Sequence, residues 1–203
     1  MMQINYVQTV MKQLGQLAHI AAGYPFRGTI PEVPCSQTMA VQMKDVSLVH
    51  GIDWTSCTRT ELAGKRNTDG LLPGDILLAA RGNHHYAIMV DEQVGLAELV
   101  VAAPHFFVVR CRTQSVLPAY LSWYLNQQAC QRYLSQNAEG TLTKSIRRSA
   151  VEQAWIALPP LDKQHAIVGL AEQLRQERLL LTQQIRNGEQ LMHAIARDLL
   201  PRT

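Results

Sequence analysis

The sequence predicts an α+β fold: a β-rich mixed domain followed by one long C-terminal helix with a coiled-coil pattern. Three observations predict it. From Thr38 to Cys111 the apolar runs are short and separated by turn residues, the mark of strands. From Leu117 the apolar spacing becomes helical. At Leu158-Pro-Pro-Leu161 an apolar run stops at two prolines, and a helical pattern then runs almost to the C-terminus. The chain therefore divides into residues 1–158, one compact domain, and residues 159–203, a helix that cannot bury its own apolar face.

Taken in order, residues 3–20 begin with Ile4, Val7, Val10, Met11, Leu14 and Leu17 at a spacing that predicts a short amphipathic helix. Gly15 ends it, and Gln16 to Ala22 forms a first strand. A turn-rich loop follows, in which Tyr24 and Phe26 reach into the core. Gly28, beside Arg27, would let another backbone come close. Thr38 to Val46 reads as a strand. Residues 50–70 read as an exposed connection with a short helix around Arg59–Ala63.

Pro73-Gly74 suits a type II turn leading into a buried strand, Ile76 to Ala80. Arg81-Gly-Asn-His84 is a hairpin loop, and Tyr86 to Val90 its return strand. Gly95 to Val101 and Phe106 to Cys111 bring the expectation to five to seven strands. Pro118 opens a helix carrying Tyr120, Leu121, Tyr124 and Leu125. A second short helix takes in Gln131 to Leu134. A loop pivots on Gly140, a helical turn covers Ile146 to Val151, and Ala154 to Leu158 is the last strand.

Asp162 is the predicted N-cap of the long helix, which spans Lys163 to Leu200, roughly 55 Å at 1.5 Å per residue. One seven-residue series reads Ile167, Leu174, Leu181, Gly188, Ile195. A second reads Ala171, Arg178, Ile185, Met192, Leu199. Together they make a coiled-coil seam with defects at Arg178 and Gly188, widened by Leu170, Leu180 and Leu191. The predicted pairing residues are Ile167, Leu170, Leu174, Leu181, Ile185, Met192, Ile195 and Leu199. No internal repeat supplies a second such helix within these 203 residues. The partner is another copy, another protein, or the domain itself.

Hydrophobic residues make up 47% and charged residues 17%, which supports a packed core and excludes wholesale disorder. The net charge of +3 is unevenly placed. Residues 101–160 hold 6 Lys+Arg against 2 Asp+Glu, whereas residues 1–100 hold 7 against 9. A local basic patch suits a phosphate-bearing partner. Cys35, Cys57, Cys111 and Cys130 are scattered, as reduced cytoplasmic thiols are, with no zinc-site spacing. No apolar run reaches the ~18–20 residues of a membrane span, and the first residues lack the basic and apolar blocks of a signal peptide.

Catalytic signatures are missing. There is no glycine-rich nucleotide fingerprint, no H-E-x-x-H and no G-x-S-x-G. The acidic and lysine triplet of metal-dependent nucleases and the Asn-Pro-Pro-aromatic element of amino-methyltransferases are also absent. His84-His85 is no metal pair, because adjacent residues on a strand face opposite ways. Neither a metal nor a cofactor is expected.

Six pieces occur in a telling order: Leu14-Gly-Gln-Leu17, Gly23-Tyr-Pro-Phe-Arg-Gly28, Leu72-Pro-Gly-Asp-Ile-Leu-Leu78, Leu117-Pro-Ala-Tyr-Leu-Ser-Trp-Tyr-Leu125, Ala138-Glu-Gly-Thr141 and Ile156-Ala-Leu-Pro-Pro-Leu-Asp-Lys-Gln-His-Ala-Ile167. In that order the chain resembles the specificity subunits of type I restriction–modification enzymes. Two positions depart from the family pattern: Lys163 stands where Glu is usual before the Gln, and Thr141 where Ser is common after the Gly. The resemblance implies a target recognition domain over residues 1–158 and a spacer helix over 159–203. Family members carry two such units whose helices pack antiparallel, so this chain resembles a half-subunit that pairs with itself. The implied partners are double-stranded DNA, a DNA methyltransferase subunit and a restriction subunit, in a cytoplasmic phage-defence system. The chain itself would be no enzyme.

On that reading the candidate DNA contacts are exposed cations and polar loop residues. They are Arg27 and Gly28, Lys44, Lys65 and Arg66, then Arg81, Asn83 and His84 on the hairpin tip, and Thr141, Thr143, Lys144, Arg147 and Arg148. The last group joins hydroxyls to three cations with no acid between them. The competing reading is an interaction module that pairs through its helix with restriction–modification subunits and does not read DNA. A metal-dependent nuclease on an unfamiliar scaffold is a third reading, for which no residue pattern speaks.

Overall fold

The computed structural model describes residues 9–63, 69–141 and 143–199. Lys65 and Arg66 lie outside the described residues, as do Ile4 and Val7. The first elements are strand β1 (Val10–Gln13), the single helical turn α1 (Leu14–Leu17) and β2 (Ala18–Ala22). The middle of the chain supplies β3 (Thr38–Val41), β4 (Val46–Ser47), β5 (Gly51–Ile52), β6 (Thr58–Arg59), β7 (Ile76–Ala79), β8 (Ala87–Met89), β9 (Leu99–Ala102) and β10 (Phe106–Cys111). Then follow α2 (Pro118–Leu125), α3 (Gln128–Gln136), β11 (Ala138–Glu139), β12 (Ser145–Ile146), α4 (Arg148–Glu152), β13 (Trp155–Leu158) and α5 (Leu161–Asp198).

The centre is an antiparallel sheet in the order β2-β10-β7-β8. All four residues of β7, Ile-Leu-Leu-Ala, are buried. A continuous apolar run of this kind marks a strand covered on both faces. Ile76 and Leu78 point into one core with Leu14, Leu17, Tyr120, Leu121, Leu134 and Ile156 from the helical side. Leu77 and Ala79 point into a second core with Met39, Val41, Val100 and Phe106. That second core lies against the sheet β6-β3-β9, in which β3 and β9 run parallel. The domain therefore has three layers: helices, central sheet, small sheet.

One buried charge sits where β7 begins. The Asp75 carboxylate, almost fully buried, accepts from Arg110 Nε at 2.7 Å and Nη2 at 2.6 Å, and from the Leu72 amide at 2.8 Å. The Arg110 guanidinium is held above its ordinary range, first by the hydrogen bonds to Asp75. This pair ties the edge of the Pro73-Gly74 turn to β10. Gly74 has φ +84° and Asp75 N–H donates to Leu72 O, as the type II turn requires.

Several expectations are corrected. Val10–Gln13 is a strand and not a helix, because β13 pairs with it antiparallel, from Val10↔Leu158 to Gln13↔Trp155. The helix near Arg59–Ala63 is absent: Thr58 and Arg59 pair with Ala40 and Met39. The segment is also less exposed than expected, since Trp54, Cys57 and Thr60 are buried. Tyr24 and Phe26 are half-buried and stack edge-on at 4.7 Å between ring centroids, outside both cores. The strand count rises to 13 among the described residues, five of them only two residues long. Asp162 is not the N-cap. Pro160 holds that position and Asp162 lies in the first turn, where its charge favours the helix dipole.

The joint between domain and helix is built on Gln164, which is fully buried. Its Oε1 accepts from the Leu117 amide at 2.9 Å. Its Nε2 donates to Ser115 O at 2.9 Å and Pro159 O at 2.8 Å. Ile167 and Val168 pack against the helical core, and α5 runs on beyond them. Its 38 residues run unbroken through Gly169 and Gly188, roughly 57 Å in all. The joint and the start of β10 lie at opposite ends of the central sheet, since β10 ends at Cys111 and leads on to Ser115 and Leu117.

The thiols follow the same burial. Desolvation pushes Cys57 and Cys130 up to about 12 and Cys111 up to about 11, while Cys35 is exposed. A thiol reacts as its thiolate. Alkylation of the native chain near neutral pH should therefore add one group, at Cys35, and alkylation after unfolding should add four. Intact mass spectrometry reads both numbers. A second fast adduct on the native chain would contradict the burial of Cys57 and Cys130 or the raised thiol of Cys111.

Candidate nucleic-acid interface

Strand register decides which loops meet. Phe106 and Phe107, at the start of β10, pair with Ala79 and Ala22 at the ends of β7 and β2. The Ala103 amide donates to Val41 O at 2.8 Å, which adds the ends of β9 and β3. Four strands thus finish at one edge, and the loops that follow them start there. The Tyr24 amide donates to Ala102 O at 2.7 Å as the Arg27–Gly28 loop departs. Gly23 is required at this point, because a Cβ there would lie 2.1 Å from Ala103 O.

The hairpin tip after β7 carries Arg81, Asn83 and His84, all exposed. The β11–β12 ribbon lies beside it. Arg81 and Ser145 form an antiparallel bridge, Gly82 N–H donates to Lys144 O at 2.9 Å, and Ile146 N–H donates to Ala80 O at 3.0 Å. The two best sequence candidates, 62 residues apart at Gly82 and Lys144, are therefore neighbours in space. Gly140 turns the ribbon at φ +114°, where a Cβ would lie 2.6 Å from Thr143 O. Thr141, Thr143 and Lys144 are exposed on it. Lys44 sits in the helical turn next to Met43, whose Cε lies 3.7 Å from where a Gly82 Cβ would stand.

The cations are not equally available. Arg147 pairs with Glu139 at 2.7 Å across the ribbon, and Arg148 pairs with Glu152 at 2.9 Å along α4. Lys44 pairs with Asp45 at 3.0 Å and donates to Ser56 O. Among the described residues Arg27, Arg81 and Lys144 form no ion pair. The edge thus presents exposed guanidinium, ammonium, amide, hydroxyl and imidazole groups. Among the described residues no cluster of His, Cys, Asp or Glu could hold a metal ion.

One exposed residue at this edge was missed by sequence reasoning. His105, in the β9–β10 turn, accepts the Ala80 amide at 2.8 Å through its carbonyl and so stands beside Arg81. No local pattern marks it, since only strand register brings it there. His85 is the reverse case. It is fully buried, with Nδ1 2.9 Å from Ala79 O, and it supports the tip from below. The residues expected along the α5 seam are exposed from Leu170 onward, Leu181 at 59% and Ile185 at 64%. Ile167 is the exception and packs on the domain.

No protein-family model and no curated protein matches the chain. Solved structures do. The type I restriction-modification system S subunit from M. genitalium superposes with a TM-score of 0.63 at 13% identity, covering 98% of this chain and 47% of that one. The chain has the specificity-subunit fold. The HsdS subunit from Thermoanaerobacter tengcongensis shares that fold with a TM-score of 0.60 at 20% identity, over 96% of this chain and 50% of its own. A chain from a structure of type I R-M complex assembly and conformational transition gives 0.63 at 19%, over 92% and 43%. The chain spans about half the length of the solved structures it matches. The specificity-subunit fold includes the long C-terminal helix, since a match over 98% of the chain takes in α5. Among the described residues no helix is long and apolar enough to cross a membrane.

Proposed function

We propose that the chain is a DNA-sequence specificity unit of a type I restriction–modification system. In this reading residues 1–158 recognise one DNA half-site, and residues 159–203 form the spacer that pairs with a second such helix. The observation that carries it is the match of nearly the whole chain to two S subunits, together with loops from separate strands that converge at one edge. Arg27, Arg81 and Lys144 would hold phosphates, and Asn83, His84, Thr141 and Thr143 would face base edges. Gly28, Lys44, Lys65, Arg66, Arg147 and Arg148 complete the proposed contact set. The unit has no catalytic step of its own. It works in the cytoplasm and recruits a methyltransferase subunit and, for cleavage, a restriction subunit. The second helix comes from a second copy of the chain, which makes the site an interrupted palindrome.

The test is binding of the chain, assembled with its methyltransferase, to DNA across a salt series. Each phosphate contact adds roughly 0.9 to the slope of log affinity against log salt. Replacing Arg27, Arg81 and Lys144 by Ala should lower the slope by about 2 to 3. Replacing Arg147 and Arg148 should lower it less, because Glu139 and Glu152 already offset their charges. A complex that binds every sequence equally, with an unaltered slope in the triple variant, would favour the interaction module that does not read DNA.

A further inference from the structure

Among the described residues, side-chain hydrogen bonds tie the long helix to the domain at two places, and only the first is the joint. Eleven residues beyond Gln164, roughly 16 Å along the axis, Arg175 Nη1 donates to the carbonyl of Val49 at 3.0 Å. Val49 stands in the tip of the β4–β5 hairpin, 126 residues away in sequence. The tip is stiff. His50 N–H donates to Ser47 Oγ, Gly51 takes φ +76°, and Asp53 N–H returns to Asp45 O. The guanidinium is braced from the other side. Its Nε and Nη2 donate to the two Glu172 oxygens at 2.8 and 2.7 Å, and Gln176 Nε2 donates to Glu172 as well.

Two attachments define a direction, which one does not. We propose that Arg175 is a positioning residue that latches α5 to the β4–β5 hairpin tip and so fixes the direction in which the helix leaves the domain. This rests on the specificity-unit reading for its consequence: the direction of α5 sets how far apart two half-sites are read. The fork geometry of arginine suits the task, because it holds a carbonyl and a carboxylate at once. The Glu172 carboxyl is pushed down to about 2, first by the hydrogen bonds from Arg175 and then by Gln176. Its ordinary value is 4.5, so this contribution is complete above that value and is lost only as pH falls through about 2. The latch stays closed near neutrality.

The test reads the helix direction itself. Nitroxide labels at Glu92→Cys on the domain and Gln190→Cys on the helix, with Cys35→Ser, report one distance by double electron–electron resonance. Dilution with unlabelled chain keeps the distance within one molecule. The native sequence should give one narrow distribution. Arg175→Ala should at least double its width while the melting temperature of the domain stays put, since Arg175 lies outside both cores. Glu172→Gln should broaden it less, because the Val49 carbonyl remains, and it carries the test if the first variant fails to fold. Unmoved distributions in both variants overturn the latch. With the methyltransferase present, Arg175→Ala should also admit half-site separations that the native chain rejects. If the native complex methylates no defined sequence, the specificity reading falls, and the distance measurement still decides the latch.

Discussion

A chain carrying Leu181→Asp and Ile185→Asp should remain monomeric at concentrations where the unaltered chain associates. Both side chains are mostly exposed and lie one helical turn apart on the seam of α5. Burying a leucine or isoleucine is worth about 1.5–3 kcal/mol. Two such losses on each of two helices, with charge placed in an apolar seam, should weaken pairing by at least about 3 kcal/mol, on the order of a hundredfold. Sedimentation equilibrium measures this. The domain should melt as before, because neither residue belongs to its cores. Two outcomes count against pairing between copies. If both chains form the same dimer, the contact lies elsewhere. If the unaltered chain is monomeric, the second helix belongs to another protein.

The second large effect is expected at the joint. Gln164→Ala removes partners from the Leu117 amide and from the Ser115 and Pro159 carbonyls at a fully buried position. An unpaired buried polar group costs about 1–3 kcal/mol. A total near 3–5 kcal/mol is a large part of the stability of an ordinary domain. For a chain of this length the melting temperature should fall by about 10 °C. Calorimetry of the full chain checks the value. A fall of only a degree or two would mean that water replaces the amide and that the joint is held by Ile167 and Val168 instead.

The sequence foreshadowed the elements whose causes are local. The Pro-Pro junction, the Pro73-Gly74 turn, β10 and the long helix α5 all stand where pattern placed them, because turn chemistry and periodicity lie in adjacent residues. Val10–Gln13 was misread because its helical spacing competes with a partner strand 142 residues away at Gln13↔Trp155 before the joint, a non-local pair that no periodicity records. Thr58–Arg59 failed for the same reason. At the candidate site, sequence located the polar loops but not their meeting. The Arg81↔Ser145 bridge joins them, and it depends on register across the whole domain. The pairing of Arg147 with Glu139 was also hidden, since Glu139 sits on the other strand of the ribbon, whereas Arg148 and Glu152 stand four residues apart on one helix, a spacing that the sequence does record.

The separation of the loop edge from the joint, along the length of β10, has a hereditary consequence. Mutations in Arg81–His84 or Thr143–Lys144 meet no packing demand from Gln164 or Arg175, and exposed loops tolerate exchange. Lineages of such a chain can therefore alter the surface at that edge while the geometry of the helix is inherited intact. At these positions selection can act on the two traits separately.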